Sequence, residues 1–222
     1  MSNTEKENLE INCYGTKGGV GKTTIATQLC VAYRLNGKTV AFYDLDKQRT
    51  STNYFSNVLE RLRPNEIHHL AGYEHGDVDV VIYDYPPNND LIPRKGTIVV
   101  APTGSSTFDL HSYAKVLPLE KTHTLIKVLN KVSLARKSDK EALEYFDDCV
   151  VISQNSMVES ALSAYKTIYN FSHPNTKKAQ NQFQFLIDCI VNRKTIKMTP
   201  ERVFAIGEKG ARLKDFIKDD EK

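Results

Sequence analysis

The sequence predicts an α/β fold, a mostly parallel central sheet flanked by helices on both faces, and three observations carry that expectation. Short apolar segments alternate with helical stretches along the chain, the pattern left by parallel crossover connections. The strand segments are apolar on both faces, as "TVAFYDLD" (39–46) and "DVDVVIYDYPP" (77–87) illustrate. A glycine-rich turn, "YGTKGGVGK" (14–22), stands between the first strand and the first helix, where such folds bind anions.

The elements follow in order. "LEINCYG" (9–15) reads as a strand running into the glycine turn. The next stretch reads as a helix from Lys22, with Ile25, Leu29, Ala32 and Leu35 at helical spacing and Asn36-Gly37 as its stop. Residues 39–46 form the second strand. "STNYFSNVLERLR" (51–63) is helical, with Ser51 or Thr52 as its N-cap and Pro64 beyond it. Further strands are expected over 77–87, 96–104, 122–132 and 147–153. Helices are expected over about 106–118, 138–146, 156–170, 176–192 and 200–218. The polar segments 15–22, 44–50, 84–90 and 102–107 each follow a strand end, so they converge on one rim of the sheet.

The chain of 222 residues, 40% hydrophobic and 26% charged, suits one domain over 1–222, with a flexible N-terminus at 1–8 and a basic helical part from about 177 to 222. A net charge of +3 permits an acidic partner without requiring one. The four cysteines form no C-x-x-C pair, which suits a reducing cytoplasm and argues against disulfide, zinc or iron–sulfur frameworks. His68 and His69 are adjacent, and on a strand they would face opposite ways, an unsuitable metal pair. No apolar run reaches the roughly 20 residues of a membrane span. The polar start "MSNTEKENLE" is unlike a signal peptide and too short for a helix-turn-helix module.

The glycine turn misses the ordinary phosphate-loop pattern G-x-x-x-x-G-K-[ST], because Thr16 stands where that pattern begins with glycine. The remaining features are present. Gly18, Gly19, Val20, Gly21, Lys22, Thr23 and Thr24 form a candidate phosphate cradle, in which backbone N–H groups turn inward and a helix N-terminus follows. Lys22 is placed to meet the terminal phosphates of a nucleotide, and Thr23 to hold Mg²⁺.

The run K-G-G-V-G-K-T (17–23) resembles the deviant Walker A motif of the ParA/MinD ATPases, a P-loop NTPase-like class. That family tolerates other residues at the position of Thr16 and requires the upstream lysine. The resemblance implies an ATP-dependent homodimer in which Lys17 reaches the partner's phosphates, making hydrolysis and dimerisation one event, much as an arginine finger does. "YDLDKQRTS" resembles the family's D-x-D-P-Q: Asp44, Asp46 and Gln48 match, and Lys47 replaces the proline, which bears on hydrolysis. Alternation puts Asp44 and Asp46 on one face of the strand end. The family match gives Asp46 the activation of water and Asp44 the metal-linked network. "VVIYDYPP" (80–87) matches a Walker B strand, with Asp84 as a magnesium-site residue and Pro86-Pro87 as a stiff switch turn. Asn130, in an N-[KR] pair at a strand end, matches the adenine contact of the MinD branch. "TGSSTFDLHSYAKVL" (103–117) and "ESALSAYKTIYNF" (159–171) are weaker similarities to family segments.

Within the family the chain is most similar to small plasmid-partition ParA proteins. The resemblance implies ATP and Mg²⁺ as cofactors, binding of non-specific DNA by the ATP dimer, hydrolysis stimulated by a ParB-type adaptor, and a cytoplasmic, nucleoid-associated location. Residues 177–222 carry eleven basic and seven acidic side chains, against nineteen and twenty elsewhere. Lys177, Lys178, Arg193, Lys194 and Lys197 are therefore the candidate DNA contacts; a solvated helix face explains them as well. One alternative is a MinD-like ATPase acting at a membrane surface. Leu213, Phe216 and Ile217 would then form the apolar face of an amphipathic end, opposed by the acidic Asp219, Asp220 and Glu221. The other alternative is an ATP-dependent metabolic ligase related to dethiobiotin synthetase. Nitrogenase iron-protein relatives are disfavoured by the cysteine spacing.

Overall fold

The structure is a computed structural model that describes residues 8–70, 72, 74–88 and 90–220. The expected flexible segment at 1–8 lies, but for Asn8, outside the described residues. Seven strands form one sheet: β1 (Leu9–Cys13), β2 (Val40–Asp44), β3 (Glu66–His68), β4 (Val80–Asp84), β5 (Ile98–Thr103), β6 (Thr124–Val132) and β7 (Val150–Ser153). Their order is β3-β2-β4-β1-β5-β6-β7, and every pairing is parallel. Among the described residues eight α-helices flank it: α1 (Lys22–Leu35), α2 (Thr50–Asn57), α3 (Thr107–Tyr113), α4 (Lys137–Tyr145), α5 (Ser156–Ser163), α6 (Pro174–Asn192), α7 (Pro200–Lys209) and α8 (Leu213–Asp220).

Burial explains the strand composition. All five residues of β2 are buried, as expected for a strand with both faces covered. Val40, Phe42, Val80 and Ile82 join the main core with Ile25 and Leu29 of α1. Their neighbours Ala41, Tyr43 and Val81 turn to the other face and form a smaller cluster with Tyr85. Tyr43 and Tyr83 stack there at 4.6 Å between ring centroids. The connection from β4 to β5 holds no helix among its described residues, so aromatic side chains and loops complete that face.

Six elements differ from the sequence expectation, among them the helix expected over 106–118, which ends at Tyr113 ahead of a 3₁₀ turn at Leu117–Lys121. β3 was not expected; three residues at a sheet edge are too few to display an alternation. The helix expected over 51–63 ends at Asn57, where Val58 turns extended and a 3₁₀ turn covers Glu60–Leu62. The helix expected over 156–170 ends at Ser163, because Tyr165 adopts a left-handed conformation and Thr167 caps a separate turn. The helix expected over 200–218 is two helices, since Gly210 is left-handed (φ 70°) and closes α7. α6 starts slightly early, at Pro174, with His173 as its cap.

Candidate functional site

The ends of β1, β2, β4 and β6 and the starts of α1, α2 and α3 build the site. β1 leads into the glycine turn, which closes at Gly21, the residue preceding α1, with φ 102°. A Cβ on Gly21 would stand 2.2 Å from Asn130 Nδ2. Glycine is therefore required both for the backbone angle and for the close approach. No side chain caps α1, which leaves its first N–H groups and its positive dipole end for an anion.

Lys22, the first residue of α1, is 6% exposed, and its Nζ donates to Lys17 O at 2.8 Å. Burial lowers its proton affinity, while the neighbouring Asp84 and Asp46 carboxylates act the other way. Thr16 is tied on two sides: its Oγ1 donates to Ser112 O at 3.0 Å, and its carbonyl accepts from Asn88 N at 3.1 Å. The residue that breaks the ordinary loop pattern thus joins the turn to α3 and to the segment after β4. Lys17 Nζ pairs with Asp109 Oδ1 at 2.5 Å. Burial would raise the Asp109 carboxyl, but its bonds to Lys17 and Ser106 prevail and hold it below the usual carboxylate range.

Parallel register sets the carboxylates side by side. Asp44 of β2 is paired with Asp84 of β4, and Asp84 with Cys13 of β1. Asp44 and Asp84 are each 1% exposed. Asp44 Oδ2 accepts from Thr52 N and Thr52 Oγ1, both at 2.8 Å, and Oδ1 accepts from Asp46 N at 3.2 Å. Asp84 Oδ2 accepts from Ser51 Oγ at 2.5 Å, while Oδ1 is buried with no hydrogen-bond partner. Burial pushes the Asp84 carboxyl up from 3.8 to about 7, against the Ser51 and Thr23 hydroxyls, with the Asp44 charge adding to the rise.

Asp46 does not continue the strand alternation. β2 ends at Asp44, and Asp46 lies in the following turn, where its Oδ1 accepts from Gln48 N at 2.9 Å. Its approach to the loop therefore comes from turn geometry rather than from strand period. Asn130 is 6% exposed, and its Nδ2 donates to Val20 O at 2.8 Å. A cavity of about 360 Å³ opens beside the loop, lined by Lys17, Gly18, Gly19, Asn130, Arg136 and Asp109 among others. Thr23 and Thr24 border a second cavity of about 420 Å³ between α1, α2 and α5.

The structure thus gathers Lys17, Lys22, Thr23, Asp44, Asp46, Asp84 and Asn130 around one strand-end rim. The basic candidates are dispersed. Lys177 and Lys178 begin α6, Arg193 and Lys194 follow its far end, and a helix of this length spans about 28 Å. Lys178 pairs with Glu208 at 3.0 Å, and Lys197 Nζ donates to Phe146 O at 2.5 Å. Lys177, Arg193 and Lys194 are exposed. Sequence reasoning missed Ser51 and Thr52 as carboxylate donors, reading them as caps, and missed Asp109, whose S-x-x-D spacing from Ser106 was its one signal. Among the described residues no cluster of three or more His, Cys, Asp or Glu is arranged to hold a metal by itself.

The family model of the CobQ/CobB/MinD/ParA nucleotide-binding domain matches residues 11–219. The chain belongs to this family. The match takes in the loop, both carboxylates and all the helices after them, so this CobQ/CobB/MinD/ParA domain accounts for nearly the whole sequence. A search of curated proteins by sequence found no match. Solved structures share the fold. A Borrelia burgdorferi B31 protein described as a plasmid partition protein, bound to AMPPNP, superposes with a TM-score of 0.63 at 14% identity, covering 82% of this chain and 99% of its own. The MinD of Pyrococcus horikoshii OT3 with Mg-ADP gives 0.60 at 14% identity, covering 85% and 99%. Apo McdA of Cyanothece gives 0.59 at 15% identity, covering 80% and 98%. At such identities the likeness establishes the fold of this CobQ/CobB/MinD/ParA domain, and its own residues must carry any finer assignment.

Proposed function

We propose that this chain is a Mg²⁺-dependent ATPase of the ParA type, acting as one domain over its length. It dimerises on ATP, binds non-specific DNA, and drives segregation of a plasmid or other DNA, with hydrolysis stimulated by a ParB-type adaptor in the nucleoid-associated cytoplasm. The observation that carries this reading is the pair of buried, register-matched carboxylates Asp44 and Asp84 beside Lys22 at the foot of the glycine turn.

The donor set suits a hydrated Mg²⁺. A buried carboxylate oxygen without a partner is costly unless a donor or cation meets it, and Asp84 Oδ1 is such an atom. Thr23, Asp84 and, through its network, Asp44 would hold the ion and its water. The ion supplies neutralisation of phosphate charge as the terminal phosphoryl group departs. In this reading the loop amides and Lys22 bind and orient the phosphates, Asp46 orients the attacking water, and Lys17 of each subunit stabilises the triphosphate held by the other. Asn130 lies within reach of a base placed in the 360 Å³ cavity.

The membrane alternative finds less support. Leu213 is 1% exposed, Phe216 and Ile217 pack on the core, and the Phe216 ring meets that of Phe185 of α6 edge-on at 6.1 Å between centroids. The apolar face of α8 is thus spent within the protein. Among the described residues no helix is long and apolar enough to cross a membrane.

A mobility shift on random-sequence duplex DNA with ATP, ADP or no nucleotide tests the proposal. Salt-sensitive shifting with ATP alone is expected. Liposome co-sedimentation in its place would favour the MinD-like reading. Nucleotide binding with neither DNA nor lipid, and no dimer in ATP, would favour a metabolic ligase.

A further inference from the structure

From the contacts of α2 we infer that Ser51 is a positioning residue, which orients Asp84 so that its free oxygen faces the Mg²⁺–nucleotide site. The inference rests on the metal-dependent nucleotide binding proposed above.

Four observations carry it. Ser51 is fully buried, and its hydroxyl meets Asp84 Oδ2 at 2.5 Å, so no water competes for that oxygen. Asp84 Oδ1 is left as the one oxygen of this carboxylate with no partner. The terminal torsion of an aspartate is broad and weakly restrained, so the short bond from a fully buried Ser51, with the Thr23 hydroxyl also acting on the carboxyl, sets which oxygen points where. The donor is itself fixed, because the next residue, Thr52, is anchored through both N and Oγ1 to Asp44 Oδ2.

One turn of α2 therefore holds both buried carboxylates, which come from different strands. The turn is set by Arg49, which precedes α2 in a left-handed conformation (φ 53°) with no side-chain cap. Asp44 takes the place of the cap by accepting Thr52 N. Partners that orient metal-site groups affect metal affinity by about 10- to 100-fold when removed. Ser51 stands in that relation to Asp84, through which it acts.

The test separates positioning from folding. Binding of a fluorescent non-hydrolysable ATP analogue is measured against Mg²⁺ concentration, and again in EDTA, for the wild type, Ser51→Ala and Ser51→Thr. For Ser51→Ala the Mg²⁺ needed for half-maximal enhancement should rise about 10-fold or more, with affinity in EDTA unchanged. Ser51→Thr, which keeps the hydroxyl, should stay within about threefold of wild type on the same scale. A wild-type Mg²⁺ response in Ser51→Ala overturns the inference. Loss of affinity in EDTA as well would show a structural role and also overturn it. A wild type that binds the analogue without any Mg²⁺ response would instead overturn the proposed function, and this inference with it.

Discussion

Lys17 Nζ sits 2.5 Å from Asp109 Oδ1, so the loop lysine is tied within its own chain to the first turn of α3. A lysine delivered to a partner's nucleotide must leave this carboxylate. Lys17 is 37% exposed and Asp109 18%, and a pair so open to solvent contributes up to about 1 kcal/mol. Two such pairs break per dimer, so Asp109→Asn should tighten ATP-dependent dimerisation by up to about 30-fold. Lys17→Ala should leave the protein monomeric in ATP, with hydrolysis reduced on the order of 10³-fold. Sedimentation velocity with ATP reads both, and a dimer in Lys17→Ala would remove the role in trans.

Asp46→Ala should trap the dimer. Its carboxylate caps Gln48 N in an exposed turn, so its loss costs the fold little, about 1 kcal/mol or less. If it orients the attacking water, single-turnover hydrolysis should fall by about 100-fold or more, while the ATP dimer persists in sedimentation. Rapid turnover in this variant would transfer the role elsewhere.

The raised carboxyl of Asp84 gives stability a direction with pH. Its pKa moves from 3.8 to about 7 on folding, so the folded state binds the extra proton. Stability from this group is full below about pH 4 and is lost as pH rises through about 7, a change of roughly 4 kcal/mol at most. Melting the metal-free protein across this range should show the slope, and Asp84→Asn should flatten it. Mg²⁺ requires the ionised form, so nucleotide binding with Mg²⁺ should release protons below pH 7. Calorimetry in two buffers of different ionisation enthalpy measures that release.

Two glycines of the loop should respond differently. Gly21→Ala meets both a left-handed backbone (φ 102°) and Asn130 Nδ2 at 2.2 Å, displacing the amide from Val20 O. Gly19→Ala has the backbone angle (φ 77°) but nothing within 4 Å. Backbone strain alone is roughly 1–2 kcal/mol. Gly21→Ala should lower the melting temperature further than Gly19→Ala and weaken nucleotide binding by about 10-fold more. Equal effects would mean that Asn130 does not constrain the loop.

The structure sorts the basic candidates for DNA. Lys178 is paired with Glu208, and Lys197, though exposed, has its Nζ on backbone carbonyls, whereas Lys177, Arg193 and Lys194 are exposed with no such side-chain partner among the described residues. Alanine at each of the latter three should lower the salt slope of ATP-dependent DNA binding by about 0.9 per lost phosphate contact. Alanine at Lys178 or Lys197 should leave the slope unchanged. A reversed pattern would place the DNA on another face.

Local features were legible because they depend on residues close in sequence. The glycines at 18, 19 and 21 with Lys22 and Thr23 mark strand, turn and helix start together, and β2, β4 and β5 show as apolar runs bounded by turn residues. The misses have physical reasons. The long helices expected at the C-terminus and over 156–170 break where Gly210 and Tyr165 go left-handed, and an apolar period continues across such a break. Edge strand β3 is too short to leave a period.

By itself, the sequence determined the order of six of the seven strands with the helices between them, the place of the phosphate loop, and the pair of lysines within it. Tertiary structure alone decided the company each group keeps. Ser51 meets Asp84 across 33 residues of chain, and Lys17 meets Asp109 across 92. Such contacts arise from the strand order and register, which set Asp44 against Asp84 and bring α2 and α3 to one rim. Local propensity acts over a few residues, whereas those pairings are fixed only when the whole sheet closes over its core.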